Sequence, residues 1–221
     1  MTLRRSDGTS TENYAERRLD MVERQLRRRG ISDERVLRAM EEVPRELFVM
    51  PEDRGRAYRD GALRIGEGQT ISQPWIVASM TALLELEPDD RALEVGTGSG
   101  YAAAVLSRCC AEVVTIERHA ALAERAQAIL RELGYDNVEV RTGDGSRGAP
   151  DRAPFDGISV TATAVREPPA ALLEQLAPDG VLVCPVRSGA GERLTRYRAD
   201  GRGEPVVPVR FVPLVEDNGG D

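Results

Sequence analysis

The chain has 221 residues, with 41% hydrophobic and 30% charged residues, the composition of a soluble globular protein. At ~150 residues per domain this length allows one or two domains and a sizeable buried core. No apolar run approaches the ~18 residues of a membrane span, and the N-terminus shows no signal-peptide pattern. The net charge of -7 argues against a dedicated nucleic-acid binder, which needs surplus cations to neutralise phosphates. Every basic residue is arginine, so Schiff-base and P-loop lysine chemistry are closed to this chain. Cys109, Cys110 and Cys184 are an odd set that fits neither a disulfide framework nor a Cys-x-x-Cys site, which points to a reducing cytoplasm.

Residues 1–12 read as a disordered lead and 13–221 as one domain. From Asn13 to Arg29, apolar Leu19, Val22 and Leu26 recur at helical spacing among charges. Ser32 is placed to cap a second helix, Asp33 to Val43, with Val36, Leu37 and Met40 on one face and Pro44 beyond it. A charged, glycine-rich loop is expected from Pro51 to Gln69, and a helix from about Pro74. From Arg91 strands and helices alternate. Strands are expected at Arg91–Val95, Glu112–Glu117, Asn137–Thr142, Phe155–Val160 and Val181–Val186. Helices are expected at Tyr101–Arg108, at Ala120–Leu133 and after Pro168-Pro169 as far as Leu176. That rhythm predicts an α/β fold with a mostly parallel, doubly wound sheet and a helical N-terminal region. Arg193–Arg198 and Val206–Val212, joined by Gly/Asp turn residues, predict an antiparallel C-terminal hairpin.

Glu94-Val95-Gly96-Thr97-Gly98-Ser99-Gly100 lies where the first of these strands turns into its helix. Glycines there let the backbone take positive φ and approach a ligand, and the helix start offers unpaired N–H groups. The dinucleotide fingerprint needs Gly-x-Gly-x-x-Gly, and Tyr101 stands where its third glycine belongs. Glu117 ends the next strand, close to the ~20-residue spacing at which an acidic side chain reaches ribose hydroxyls. Asp144 lies at the following strand end, where a carboxylate can accept from an adenine amino group. Three consecutive strand ends therefore point to a nucleoside site. Upstream, Ser72 precedes Pro74, so its hydroxyl is placed either to cap that helix or to receive an anion.

The Gly-x-Gly-x-Gly loop after an acidic residue resembles motif I of the Rossmann-like class I S-adenosylmethionine methyltransferases. The whole chain more specifically resembles the protein-L-isoaspartate O-methyltransferases. The resemblance is carried by Met21-Val22-x-x-Gln25-Leu26, Arg29-Gly30-Ile31, Val43-Pro44-Arg45 with Phe48-Val49, and Gly68-Gln69-Thr70-Ile71-Ser72-Gln73-Pro74. It continues through Glu94 to Tyr101, Gly143-Asp144-Gly145, Pro154-Phe155-Asp156, Val160-Thr161-Ala162, Pro185-Val186 and Phe211-Val212-Pro213-Leu214. It implies that Ser72 is the active-site serine and that Thr70, Ile71, Ser72 and Gln73 border cofactor and substrate. It also implies that Glu94, Gly96, Thr97, Gly98, Ser99, Gly100, Glu117, Arg118, Asp144 and Gly145 hold S-adenosylmethionine. The implied reaction is methylation of the free α-carboxyl of L-isoaspartyl residues in damaged proteins and peptides, whose ester then closes to a succinimide. A cytoplasmic monomer that needs no metal, nucleic acid or membrane is implied as well. Arg64, Asp179 and Arg187 differ from the family pattern, at loops that bear on substrate choice.

Two rival readings share these residues. One is a methyltransferase acting on an aspartate of a dedicated biosynthetic peptide. The other is a nucleoside- or NAD-binding regulator without catalysis, against which Tyr101 and the Thr70-Ile71-Ser72 segment both argue. His119 is read as a helix-start residue, Trp75 as packing or recognition, and the Arg27-Arg28-Arg29 run as a solvated face. Asn218-Gly219 is a candidate deamidation site that would make the chain its own substrate.

Overall fold

Runs of β-branched residues at Val113-Val114-Thr115-Ile116 and Val181-Leu182-Val183 are buried on both faces, the composition of strands covered by helices on either side. The computed structural model describes residues 11–189 and 191–215, so residues 1–10 of the expected lead and Asn218-Gly219 lie outside the described residues. Helix α1 (Thr11–Met21) passes into a π-helical turn (Val22–Leu26) and a 3-10 turn (Arg27–Arg29). Gly30, at φ +94°, ends this rod with two bonds, Ile31 N to Leu26 O and Gly30 N to Arg27 O, the Schellman pattern. Leu19, expected inside, is 53% exposed, and Met21 takes the buried position beside Val22 and Leu26. Helix α2 (Glu34–Glu42) begins one residue later than expected. Its cap is Asp33, which accepts from the N–H groups of Arg35 and Val36, and not Ser32.

The expected loop from Pro51 to Gln69 is more ordered than its composition suggests. It forms a 3-10 stretch (Pro51–Arg56), then strands β1 (Leu63–Gly66) and β2 (Gln69–Ile71) paired antiparallel. The turn holds Glu67 and Gly68 at positive φ, as a two-residue hairpin of the I′ kind requires. Leu63, Ile65 and Ile71 point into the core, so a glycine- and charge-rich stretch hides a half-buried hairpin. Helix α3 (Pro74–Leu83) follows with Pro74 in its first turn.

The α/β core then runs β3 (Arg91–Val95), α4 (Tyr101–Leu106), β4 (Glu112–Glu117), α5 (Ala120–Glu132), β5 (Val138–Thr142) and β6 (Phe155–Val160). Next come β7 (Ala164–Val165), α6 (Ala170–Leu173), β8 (Leu176–Ser188), β9 (Gly191–Arg198) and β10 (Gly203–Pro208). The large sheet has the order β10-β9-β8-β6-β3-β4-β5, with β7 beside β8. Strands β5, β4, β3, β6 and β8 are mutually parallel, while β9 and β10 turn back antiparallel. Chain order reverses on either side of β3, and ligand crevices of open α/β sheets open beyond the strand ends at such a point. Helix α6 stops short of its expected end because Gln175 already belongs to the sheet edge. Its carbonyl accepts from Phe155 N at 2.8 Å, and its side chain ties Ala149 N to the carbonyls of Arg147 and Ala171.

Side chains alternate across the sheet. Leu93, Val114 and Ile158 pack with Leu182 and Leu172 on one face; Ala92, Val113 and Val181 meet α2, α3 and α4 on the other. The N-terminal helices share this second apolar cluster, so they complete the core and do not hang outside it. Cys109, Cys110 and Cys184 are buried free thiols, each pushed up to about 12 by burial, as inert packing residues are. Among the described residues no helix is long and apolar enough to cross a membrane.

The cap assignment gives a direct test by urea unfolding. Asp33→Ala is expected to cost about 0.5–2 kcal/mol through loss of the α2 cap. Ser32→Ala is expected to stay within about 0.5 kcal/mol of the parent.

Candidate active site

One polar row interrupts the apolar face beneath α4. Glu94 on β3 stands in register with Thr115 on β4 and Ser159 on β6, and all three are buried. Thr115 Oγ1 donates to Glu94 Oε2 at 2.6 Å, and Thr97 Oγ1 lies 2.6 Å from Thr115 Oγ1. Glu94 Oε1 is buried and has no hydrogen-bond partner among the described residues. Burial pushes the Glu94 carboxyl up to about 8; the nearby charge of Glu117 adds to this and the Thr115 bond opposes it.

The glycine loop is fixed on both sides of this row. Gly96 N donates to Ile116 O at 2.8 Å, and Gly98 N donates to Glu117 Oε2 at 2.8 Å. Across the switch point, Thr161 Oγ1 donates to the carbonyls of Val95 and Gly96. Gly96 has φ +97°, and a Cβ there would stand 2.3 Å from Thr161 Oγ1, so only glycine fits. Gly100 serves packing instead, because its missing Cβ lets α4 approach Ala126 and Leu130 of α5.

These elements enclose a cavity of about 360 Å³, within the ~300–1,000 Å³ range of small-molecule sites. Of the residues singled out in the sequence, Thr70, Ile71, Ser72, Glu94, Gly96, Thr97, Gly98, Ser99, Glu117, Arg118 and Gly145 line it. Gln73, Gly100 and Asp144 do not border it. Gln73 donates to Asp60 Oδ1 at 2.5 Å. Asp144 Oδ1 accepts from both the N–H and the hydroxyl of Ser146, which caps the turn Gly145–Arg147. Glu117 Oε1 accepts from His119 N and Oε2 from Gly98 N, so its carboxylate is held at the cavity edge with lone pairs to spare. His119 sits at the start of α5, as expected, and also lines the cavity.

Ser72 decides its own alternative. The residue before α3 is Gln73, α3 has no side-chain cap, and the Ser72 hydroxyl makes no hydrogen bond among the described residues. It is half-exposed and lines the same cavity as the glycine loop. Trp75 packs against the core with the Arg29 guanidinium 4.8 Å above its ring, which supports the packing role. Arg27, Arg28 and Arg29 are solvent-exposed, as expected.

The remaining walls carry no chemical signature in the sequence. Val77, Met80 and Thr81 of α3 form one, Thr161 and Ala162 another, and Val212 to Val215 a third. The last segment is strapped across the strand ends: Thr163 N donates to Val212 O at 2.7 Å and Leu214 N donates to Thr163 O at 2.8 Å. Glu192 secures it by accepting from Phe211 N and Thr163 Oγ1, while pairing with Arg187. Arg187, which departs from the family pattern, therefore serves this strap. The matches of Thr161-Ala162 and of Phe211 to Leu214 to the family pattern are the signals for two of these walls, and the strand expected over Val206–Val212 ends at Pro208, before the strap.

The family model of protein-L-isoaspartate(D-aspartate) O-methyltransferase matches residues 16–219. A protein-L-isoaspartate O-methyltransferase of Roseiflexus castenholzii is 57% identical over 193 residues, covering 86% of this chain and 88% of that protein. One of Pelotomaculum thermopropionicum is 50% identical over 225 residues, covering 99% and 98%. Among solved structures, a putative Plasmodium falciparum protein-L-isoaspartate O-methyltransferase in complex with S-adenosyl-L-homocysteine superimposes with TM-score 0.77 at 25% identity, covering 90% of this chain and 99% of that one. With the glycine loop, the buried Glu94 and the Ser72 bank in one cavity, and a family match spanning nearly all of the sequence, the chain belongs to the protein-L-isoaspartate(D-aspartate) O-methyltransferase family.

Proposed function

We propose that this chain methylates the free α-carboxyl of L-isoaspartyl residues in proteins and peptides, using the cavity described above, with Ser72 as the residue that orients the substrate. The observation that carries the reading is that two sets of groups share one cavity. A buried, half-satisfied Glu94 and a glycine loop form one, and an unbonded serine hydroxyl forms the other. S-adenosylmethionine, when bound, supplies an electrophilic methyl group and carries positive charge. The residues present fit it. Gly96 and Gly98 bring backbone close, Glu117 faces the cavity with spare acceptor capacity for hydroxyls, and Glu94 Oε1 awaits a donor. Gln73, Gly100 and Asp144 support the walls from behind, so their roles in cofactor binding are indirect in this reading.

The chemistry asks little acid–base work of the protein. A free α-carboxyl has a pKa of about 3.3–3.7 and is ionised at neutral pH, so no general base is required. His119 has no catalytic role in this scheme. What the chain must provide is alignment, and well-oriented reactants reach effective molarities of about 10⁵–10⁸ M. Ser72 Oγ–H donates to the carboxylate and holds one oxygen forward without forming a covalent bond. The C-terminal strap and α3 cover the site and limit water. This reading takes a cytoplasmic monomer as the working form; the three buried free thiols accord with a reducing compartment.

Labelled methyl transfer to paired peptides that differ only in L-isoaspartyl versus L-aspartyl tests the proposal. Transfer is expected to the isoaspartyl peptide alone. Ser72→Ala is expected to lower kcat by about 10–100-fold, the value of a hydrogen bond to a charged group at about 1.5–3 kcal/mol, with cofactor affinity retained. Cofactor binding without transfer to either peptide would instead indicate a dedicated peptide substrate.

Glu94 gives a second test. With its carboxyl at about 8 in the cavity, it is mostly protonated at pH 7, and a bound cation draws it into the ionised form. Binding therefore releases a proton, and cofactor affinity rises with pH until about 8 and then levels. Calorimetry at pH 7 in buffers of different ionisation enthalpy is expected to show this release, and Glu94→Gln to abolish it. The same sign holds for folding. Because the folded value lies above the ordinary 4.5, ionising Glu94 costs the cofactor-free fold stability as pH rises from there toward 8.

A further inference from the structure

Arg45 has 0% exposure and heads the fully buried side chains by volume. It sits in a 3-10 turn (Arg45–Leu47) behind Pro44. Its Nε donates to Ala57 O at 2.8 Å, its Nη2 donates to Ser72 O at 2.7 Å, and its guanidinium lies 4.8 Å above the Tyr101 ring. Among the described residues it forms no ion pair, and Nη1 has no hydrogen-bond partner. Burying a cation without a counter-charge is expensive, and a neutral side chain filling the space would cost the fold less. The cost is explained by what the fork holds. Ala57 precedes the β1–β2 hairpin, Ser72 follows it, and Tyr101 opens α4 directly after the glycine loop. Arg45 thus touches the serine bank and the first residue of the helix on the cofactor bank. Among the described residues the Ser72 hydroxyl has no bond of its own, so only the backbone fixes where its Cβ is placed, and the Arg45 bond falls on that backbone.

We infer that Arg45 is a positioning residue for methyl transfer: it locks the Ser72 backbone against the start of α4 and so fixes where Ser72 presents its hydroxyl in the cavity. The inference rests on the reading of Ser72 given above. Lysine is a poor substitute, because its three N–H donors sit on one compact nitrogen and lack the planar fork that reaches two separate carbonyls while stacking on a ring.

A double-mutant cycle tests it, with full-length wild type, Arg45→Met, Ser72→Ala and the double variant. Each is assayed for kcat with the isoaspartyl peptide, for cofactor Kd by calorimetry and for thermal unfolding. Arg45→Met is expected to lower kcat by about tenfold or more with Ser72 present, and by less than about threefold in the Ser72→Ala background. Cofactor Kd should move by less than about threefold throughout. Arg45→Lys keeps the charge without the fork and is expected to lose nearly as much rate as Arg45→Met; it carries the cycle if Arg45→Met does not fold. Equal losses in both backgrounds, or a loss seen only as weaker cofactor binding, would overturn the inference. A slow Ser72→Ala with additive Arg45 losses defeats this inference alone. An unaltered rate in Ser72→Ala defeats the reading of the serine and this inference with it.

Discussion

A carboxyl buried at the centre of a parallel sheet is costly, and the site is organised around the one at Glu94. Its place in β3 puts it on the face covered by α4, in register with Thr115 and Ser159, so a row of polar atoms crosses a surface otherwise filled by Ala92, Val113 and Val181. One oxygen is satisfied by Thr115 and the other is left open. The open oxygen borders the cavity, and in the proposed reading a cationic ligand there draws the carboxyl into its ionised form. The glycine loop follows from the same geometry. It must turn immediately after Glu94 and pass within bonding distance of Thr161 just beyond β6, with its Gly96 and Thr97 N–H groups held by Ile116 O and its Gly98 N–H by the Glu117 carboxylate. Gly96 is therefore required by the sheet junction as much as by any ligand.

The second bank of the cavity depends on the N-terminal region. The β1–β2 hairpin and α3 bring Thr70, Ile71 and Ser72 to the strand ends, and the helical rod from Thr11 onward packs its Met21, Val22 and Leu26 into the shared core. Polar ties reinforce the seam. Asp60 accepts from both Arg29 and Gln73, the buried Glu46 accepts from Tyr58, and Arg45 reaches the Ala57 and Ser72 carbonyls. Substrate chemistry that needs only alignment places its demand on this kind of framework, because small displacements of an orienting group cost rate directly. The third wall, the segment ending at Val215, is held by Glu192 and Thr163 and closes the cavity from the antiparallel edge.

Strand positions were legible in the sequence wherever burial on both faces made apolar runs continuous, and β3, β4 and β6 begin and end where their patterns do. The hairpin over 63–71 was hidden because only Leu63, Ile65 and Ile71 face inward, and glycine and charged residues mask three positions in so short a pair. The α2 cap was misplaced by one residue because Ser32 and Asp33 are both good caps, and only the backbone path selects Asp33. The bonds from the Ser146 N–H and hydroxyl to Asp144 Oδ1 are local ones that strand-end spacing cannot foresee.

The sequence by itself determined the class of the fold, the glycine loop with its acidic neighbours, the Ser72 segment and, through their combination, the family. These are local properties: periodicity, backbone permissiveness and short motifs survive in a string of letters. The tertiary structure alone decided that Ser72 leaves its hydroxyl free, that Glu94 aligns with Thr115 and Ser159, that Arg45 reaches across to Ser72, and that Val212 to Val215 wall the cavity. Each of those depends on strand order and register, which join residues far apart along the chain. No window of sequence contains them.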